Sequence, residues 1–271
     1  MTALRFSHEE LGPAGMAWLA AAAFMAALFV ALAPAQIFDG RLFNGAPIWD
    51  KPLKFCLSLS VHFLTLAALS QLLPTDRRGG PAIWFAIVTS IVAGVLEILY
   101  IALQAMRGRA SHYNNETVLE SLLYAAMGAG AVLLVLAAFI LGLKIARTKG
   151  EPASGLRDGA ILGLLFGPIL TVFVAGYMSQ NGSHFANAPL ASDQDGIFLF
   201  GWSATDPDLR PAHFFALHMM QAAPLAGWLG DRIGPRTGSA FAFAAAAICG
   251  ILSIAAFAIA LSGQSPVWFL S

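Results

Sequence analysis

His62, Glu97, Tyr124 and His218 each stand inside a run of otherwise hydrophobic residues. A polar side chain in such a setting is costly and marks a functional candidate by default. Neutral imidazole ligates metal ions and haem iron, so His62 and His218 are candidate ligands for a metal ion or for one b-type haem. The plainer reading of each is a hydrogen-bonded tie between helices. A carboxyl deep in an apolar helix stays protonated unless it is paired. Glu97 is therefore a candidate proton acceptor, or a partner for a histidine whose ring it would orient. Tyr124 is the second candidate catalytic residue. Arg107 and Arg210 are candidates to position an anionic substrate or haem propionates, because guanidinium pairs bidentately with such groups. Gln104, His213 and Gln221 complete the candidate binding set.

Spacing decides which of these residues share a face. Glu97, Tyr100 and Gln104 form one helical stripe, Glu120 and Tyr124 another, and His218 and Gln221 a third. His213 lies five residues before His218, about 140° around a helix. The two histidines are thus not a local ligand pair, and His213 shares its face with Arg210 instead. At the helical rise of about 1.5 Å per residue, His62, Glu97, Tyr124 and His218 all fall about 10–15 Å from the same end of their segments. Four segments thus place polar groups in one layer. The histidines of the "SHY" (Ser111–Tyr113) and "SHF" (Ser183–Phe185) stretches are read as exposed rather than ligating.

Other chemistry is missing from the sequence. There is no Walker loop, dinucleotide fingerprint or serine-nucleophile elbow. The multi-histidine boxes of a membrane di-iron enzyme and a mid-helix lysine for a retinal Schiff base are also missing. Asp193, Asp195, Asp206 and Asp208 do not match a calcium-binding EF-hand loop. Cys56 and Cys249 are read as small buried hydrophobes. No basic run of the kind that tracks phosphates is present, so nucleic acid is not an expected partner.

The elements that must position these residues are membrane helices. Of 271 residues 58% are hydrophobic and 11% charged, with mean hydropathy +0.72, whereas soluble domains carry about 25% charged residues. Apolar runs near the length needed to cross a bilayer fall at about 14–33, 55–73, 81–105, 117–143, 159–180, 212–230 and 238–262. The sixth is the shortest and most polar. The expected architecture is an all-α, seven-transmembrane-helix bundle forming a single domain in a bilayer, placed in a bacterial inner membrane. The first run is longer than a signal-peptide core and is preceded by Glu9 and Glu10 rather than by basic residues, so "ALAPAQ" (Ala31–Gln36) is read as helix and not as a cleavage site. Nine basic residues, among them Arg5, Arg77, Arg78, Lys149 and Arg232, fall on one face, and six on the other. The positive-inside rule then places the N-terminus in the cytoplasm and the C-terminus outside.

The outer loops are the longer and more varied ones. The loop of residues 181–210 contains "GIFLFGW" (Gly196–Trp202), too aromatic for disorder and suited to the membrane interface. Arg210–Pro211 reads as a helix start, with Asp206 or Asp208 as its cap.

Three functional readings follow. The first is a histidine-ligated haem or metal redox site, open to a small-molecule substrate at the outer face. The second is a proton-coupled small-molecule transporter in which Glu97 and His218 titrate, and in which Pro168 and Pro224 break helices. The third is a sensor or assembly partner that binds another protein through its outer loops, with structural histidines.

Overall fold

The computed structural model describes residues 7–148, 154–187, 196–197 and 200–270. Arg5, Lys149, Asp193 and Asp195 lie outside the described residues. Seven α-helices are present among the described residues: α1 (His8–Phe38), α2 (Asp50–Ser70), α3 (Pro81–Arg107), α4 (Val118–Ala146), α5 (Gly155–Asn181), α6 (Arg210–Asp231) and α7 (Pro235–Leu261). All except α6 are long and apolar enough to cross a membrane. The chain is an all-helical integral membrane protein.

Local chemistry sets the helix boundaries. Ser7 and Ser154 accept backbone N–H groups at the starts of α1 and α5, the usual N-cap role of serine. Proline opens α3, α6 and α7, where its missing N–H costs nothing. Gly108 and Gly182 end α3 and α5 in the left-handed conformation, which glycine adopts without penalty. Helix α1 starts earlier than its apolar run and bends at Gly12, just before Pro13. The "ALAPAQ" stretch is helical, and α5 and α6 continue through Pro168 and Pro224, so neither proline breaks its helix. Between α1 and α2 the chain makes a short hairpin, β1 (Leu42–Phe43) with β2 (Ala46–Pro47). Asn44 and Gly45 at its tip both have positive φ, as a two-residue hairpin turn requires.

The helices fall into two compact units, residues 2–144 and residues 145–271. The first contains α1, α2, α3 and nearly all of α4. Helix α3 shows how it is sorted. Phe85, Val88, Val92, Leu96, Leu99, Leu103 and Met106 are exposed, while Ser90, Glu97 and Gln104, seven residues apart, are buried. An apolar exterior with polar groups turned inward is what lipid demands. On the buried side Trp18 Nε1 donates to Ser90 Oγ at 3.2 Å, and Ser60 Oγ donates to the Ala22 carbonyl at 2.9 Å. Gly94 lets the Phe63 ring of α2 pack directly on α3.

The second unit is built on close backbone approach. Gly155, Gly159, Gly163 and Gly167 recur every four residues along α5; the last three face α6 at Ala223, Met219–Met220 and Ala216, while Gly155 lies against Gly238 of α7 and is approached by Gly227 of α6. Small residues at this spacing let membrane helices touch backbone to backbone. Helix α6 packs against both α5 and α7, which accounts for its weaker hydropathy: a helix covered by two neighbours need not be apolar all round. Asp231 at its end accepts the N–H groups of Gly155 at 2.7 Å and Leu156 at 3.0 Å, so the end of α6 caps the start of α5. Ser239 of α7 donates to Asp158 at 2.6 Å.

A methyl group on Gly159 would overlap the Ala223–Pro224 backbone, whereas one on Gly176 of the same helix meets nothing within 4 Å. Gly159→Ala is expected to destabilise the protein by about 1–3 kcal/mol, the usual cost of overpacking, and Gly176→Ala to be near neutral. Thermal unfolding of the two variants in detergent checks this.

Candidate functional site

The first unit gathers polar side chains where the start of α2, the end of α3 and the start of α4 meet the loop of residues 108–117. Glu97 is 5% exposed. Its Oε1 lies 3.9 Å from His112 Nε2, and its Oε2 is buried with no hydrogen-bond partner. The Lys51 ammonium acts electrostatically on both Glu97 and His112. The histidine facing Glu97 at this distance is His112. His62 is buried in α2 and packs edge-on against Phe63, with ring centroids 5.5 Å apart.

His112 was expected to be exposed. Its side chain is instead turned inward among aromatic rings, with centroids 5.7 Å from Phe55, 6.3 Å from Tyr113 and 6.1 Å from Tyr124. Burial, reinforced by Lys51, holds its pKa well below the usual imidazole range, so the ring is neutral at neutral pH. Tyr124 thus reaches the cluster through His112 and Tyr113.

The candidate binding residues of this unit are engaged with their own loop. Gln104 is fully buried. It donates through Nε2 to the Tyr100 hydroxyl and the Ala110 carbonyl, both at 3.0 Å, and accepts from Arg107 at 2.8 Å. A second Arg107 nitrogen lies 3.7 Å from Glu120. Arg109 donates to Glu120 at 2.7 Å and to Glu116 at 2.8 Å. Asn114 ties the loop to itself by donating to the Ala110 carbonyl at 2.9 Å and accepting from the Glu116 N–H at 3.1 Å.

Arg210, His213, His218 and Gln221 lie in the second unit. Asp208 is completely buried. It accepts the Arg210 backbone N–H at 2.8 Å and pairs with the Arg210 guanidinium at 2.7 Å, so it supplies the expected aspartate at the head of α6. Arg210 also sits over the Phe185 ring, 5.4 Å from its centroid. The Asp208 carboxylate further accepts the Ser203 N–H at 2.9 Å, linking the 200–208 segment to the helix. Trp202 is largely buried against Phe214 and Phe215 and stacks on Phe200 at 4.4 Å. Phe200 and Trp202 of the aromatic stretch therefore lie on their own unit's helix, and residues 198–199 of it lie outside the described residues. His218 packs on Phe214 at 4.3 Å and hydrogen-bonds Gln221, as their shared face predicts. His213 has a buried Nδ1 with no hydrogen-bond partner.

His62 and His218 belong to different units, and within neither unit do three or more His, Cys, Asp or Glu side chains among the described residues form a group able to hold a metal ion. At the other end of the first unit, a cleft is lined by Glu9, Gly12, Pro13, Thr75, Arg78 and Trp84. Its Arg78 is committed to the backbone carbonyls of Leu73, Glu10 and Gln71. No family model matches this sequence, and comparison with curated proteins and with solved structures finds no match either.

Sequence reasoning weighed His112 and Lys51 without pairing them with Glu97, and missed Ser90. Ser90 continues the Glu97–Gln104 spacing by one further heptad and was readable from it. The placement of His112 was not, because it is set by a loop in which Tyr113 has a positive φ.

The loop after α1 carries its own charge cluster. Hydrogen bonds from Arg41 and from the Trp49 indole hold the Asp39 carboxyl well below the usual carboxylate range. A depressed folded-state value stabilises the loop above the unfolded value of about 3.9, and that stabilisation is lost as pH falls through the folded value. Trp49 fluorescence is expected to stay native-like down to about pH 4 and to change only in stronger acid. Asp39→Asn is expected to remove this acid transition and to show the altered signal already at neutral pH.

Proposed function

We propose that the protein is a proton-coupled carrier of a small polar solute, with Glu97 as its proton-binding group. It spans a bacterial inner membrane seven times, with α6 as the seventh span, the N-terminus in the cytoplasm and the C-terminus outside, and takes its solute from the outer face. One observation carries the reading. Glu97 is a mid-helix carboxyl with one oxygen facing an imidazole 3.9 Å away and the other buried without a hydrogen-bond partner. A buried unsatisfied polar atom calls for a functional account; Glu120 also has one such oxygen, but its charge is paired with Arg109 and Arg107. For Glu97, binding and releasing a proton supplies that account. The charge asymmetry of the loops supports the orientation, and the placement of α6 against α5 and α7 supports its counting as a span. Prolines that leave their helices unbroken lend the reading no help, so it rests on Glu97.

The test uses the full chain in liposomes loaded with a pH-sensitive dye, with a panel of small polar solutes added outside. Solute-dependent proton uptake is expected, and Glu97→Gln is expected to lower it about a hundredfold, a typical loss for a positioned proton-transfer group. Equal uptake by the two proteins would overturn the reading. The rival haem or metal site at His62 and His218 is decided by the visible spectrum and metal content of the detergent-purified protein. A Soret band that disappears in His62→Ala or His218→Ala would replace the carrier by a redox protein.

A further inference from the structure

We propose that His112 relays protons between the outer end of the first unit and Glu97, and that the loop of residues 108–117 is built to hold it in that position. The inference rests on the reading of Glu97 as a proton-binding group and adds the path by which the proton reaches it.

The loop is pinned from every side. Gly108 turns out of α3 in the left-handed conformation. The Ala110 carbonyl accepts from both Gln104 and Asn114, and Arg109 clamps Glu116 and Glu120. Tyr113 is held at φ +56°, a conformation that a non-glycine residue keeps only where its surroundings impose it. The result is an inward imidazole. Lys51 and Phe55 face it from α2, Glu97 from α3, Tyr124 from α4, and Ser111 and Tyr113 from the loop itself. Glu120, the other carboxylate at this end of α4, is taken up by Arg109 and Arg107.

The two ring nitrogens face different neighbours. Nδ1 lies 3.3 Å from the Ser111 hydroxyl, and Nε2 lies 3.9 Å from Glu97 Oε1. A neutral ring that carries its proton on Nε2 accepts from Ser111 at Nδ1. When a proton arrives at Nδ1, the Nε2 proton leaves for Glu97 Oε1. The ring ends neutral in its other tautomer, the carboxylate ends as a carboxylic acid, and one proton has moved. The Nε2–Oε1 gap exceeds a direct hydrogen bond by about 1 Å, which a small closing movement or one bridging water spans. A histidine serving only to fill the aromatic cluster would not need a hydroxyl on one nitrogen and a buried carboxylate on the other.

The experiment is a pH jump on the full chain in lipid nanodiscs, followed by time-resolved infrared spectroscopy of the carboxyl band that Glu97→Gln removes. His112→Phe keeps the ring packing and is expected to slow the rise of that band about a hundredfold while leaving its final amplitude unchanged. Added imidazole is expected to restore the rate. A wild-type rate in His112→Phe would overturn the relay and leave the role of Glu97 standing, and so would a slow variant that imidazole does not accelerate. If His112→Phe does not fold, His112→Gln is read by the same two criteria. A wild-type protein with no titrating band that Glu97→Gln removes would overturn both the relay and the role of Glu97.

Discussion

Hydrocarbon offers no hydrogen bonds, and the arrangement of the first unit follows from that one deficit. Every polar group carried into α3 must find its partner on the inner side, and Ser90, Glu97 and Gln104 recur at the spacing that keeps them there. Ser90 meets the Trp18 indole, and Gln104 meets the end of its own helix and the loop beyond it. Of these three, Glu97 is the one left with an oxygen that has no hydrogen-bond partner. A bundle that satisfies its neighbours at the same face has the means to satisfy Glu97 too. Leaving it unsatisfied, next to a neutral imidazole, costs stability.

The second unit meets the same deficit differently. Its helices approach so closely that backbone meets backbone, and two of its aspartates sit at helix starts. Asp231 takes up the N–H groups of α5, and Asp208 those of Ser203 and Arg210. The Asp208–Arg210 pair is buried on its acidic side, a setting in which removing either partner strands a charge. Arg210 is thus bound up with folding the head of α6, and the aromatic cluster of Trp202, Phe200 and Phe214 closes over the same helix.

Much of this was legible in the residues, and the reasons are particular. Long apolar runs announce helices because hydrophobic length is the membrane's own criterion, so all seven helices fall where composition placed them. The face shared by His218 and Gln221 followed from helical geometry. Contacts made by loops were not legible. Nothing about the letters "SHY" says that Tyr113 will take a left-handed backbone or that His112 will face Glu97, in a loop held by bonds from Arg109, Asn114 and Gln104. The hairpin after α1 had a signal in Asn44–Gly45, a pair that favours such a turn. The glycines of α5 had one as well, in their four-residue period, but apolar composition conceals it.

That glycine row has a bearing on the protein's evolution. The lipid-facing side chains of α3 need only be apolar and can exchange freely, so they drift until little ancestral identity is left. At Gly155, Gly159 and Gly163 a single added carbon collides with the backbone of a neighbouring helix, and drift there is closed off. Among distant descendants of a common ancestor, the most durable mark would be this ladder of positions without side chains, rather than any stretch rich in informative letters.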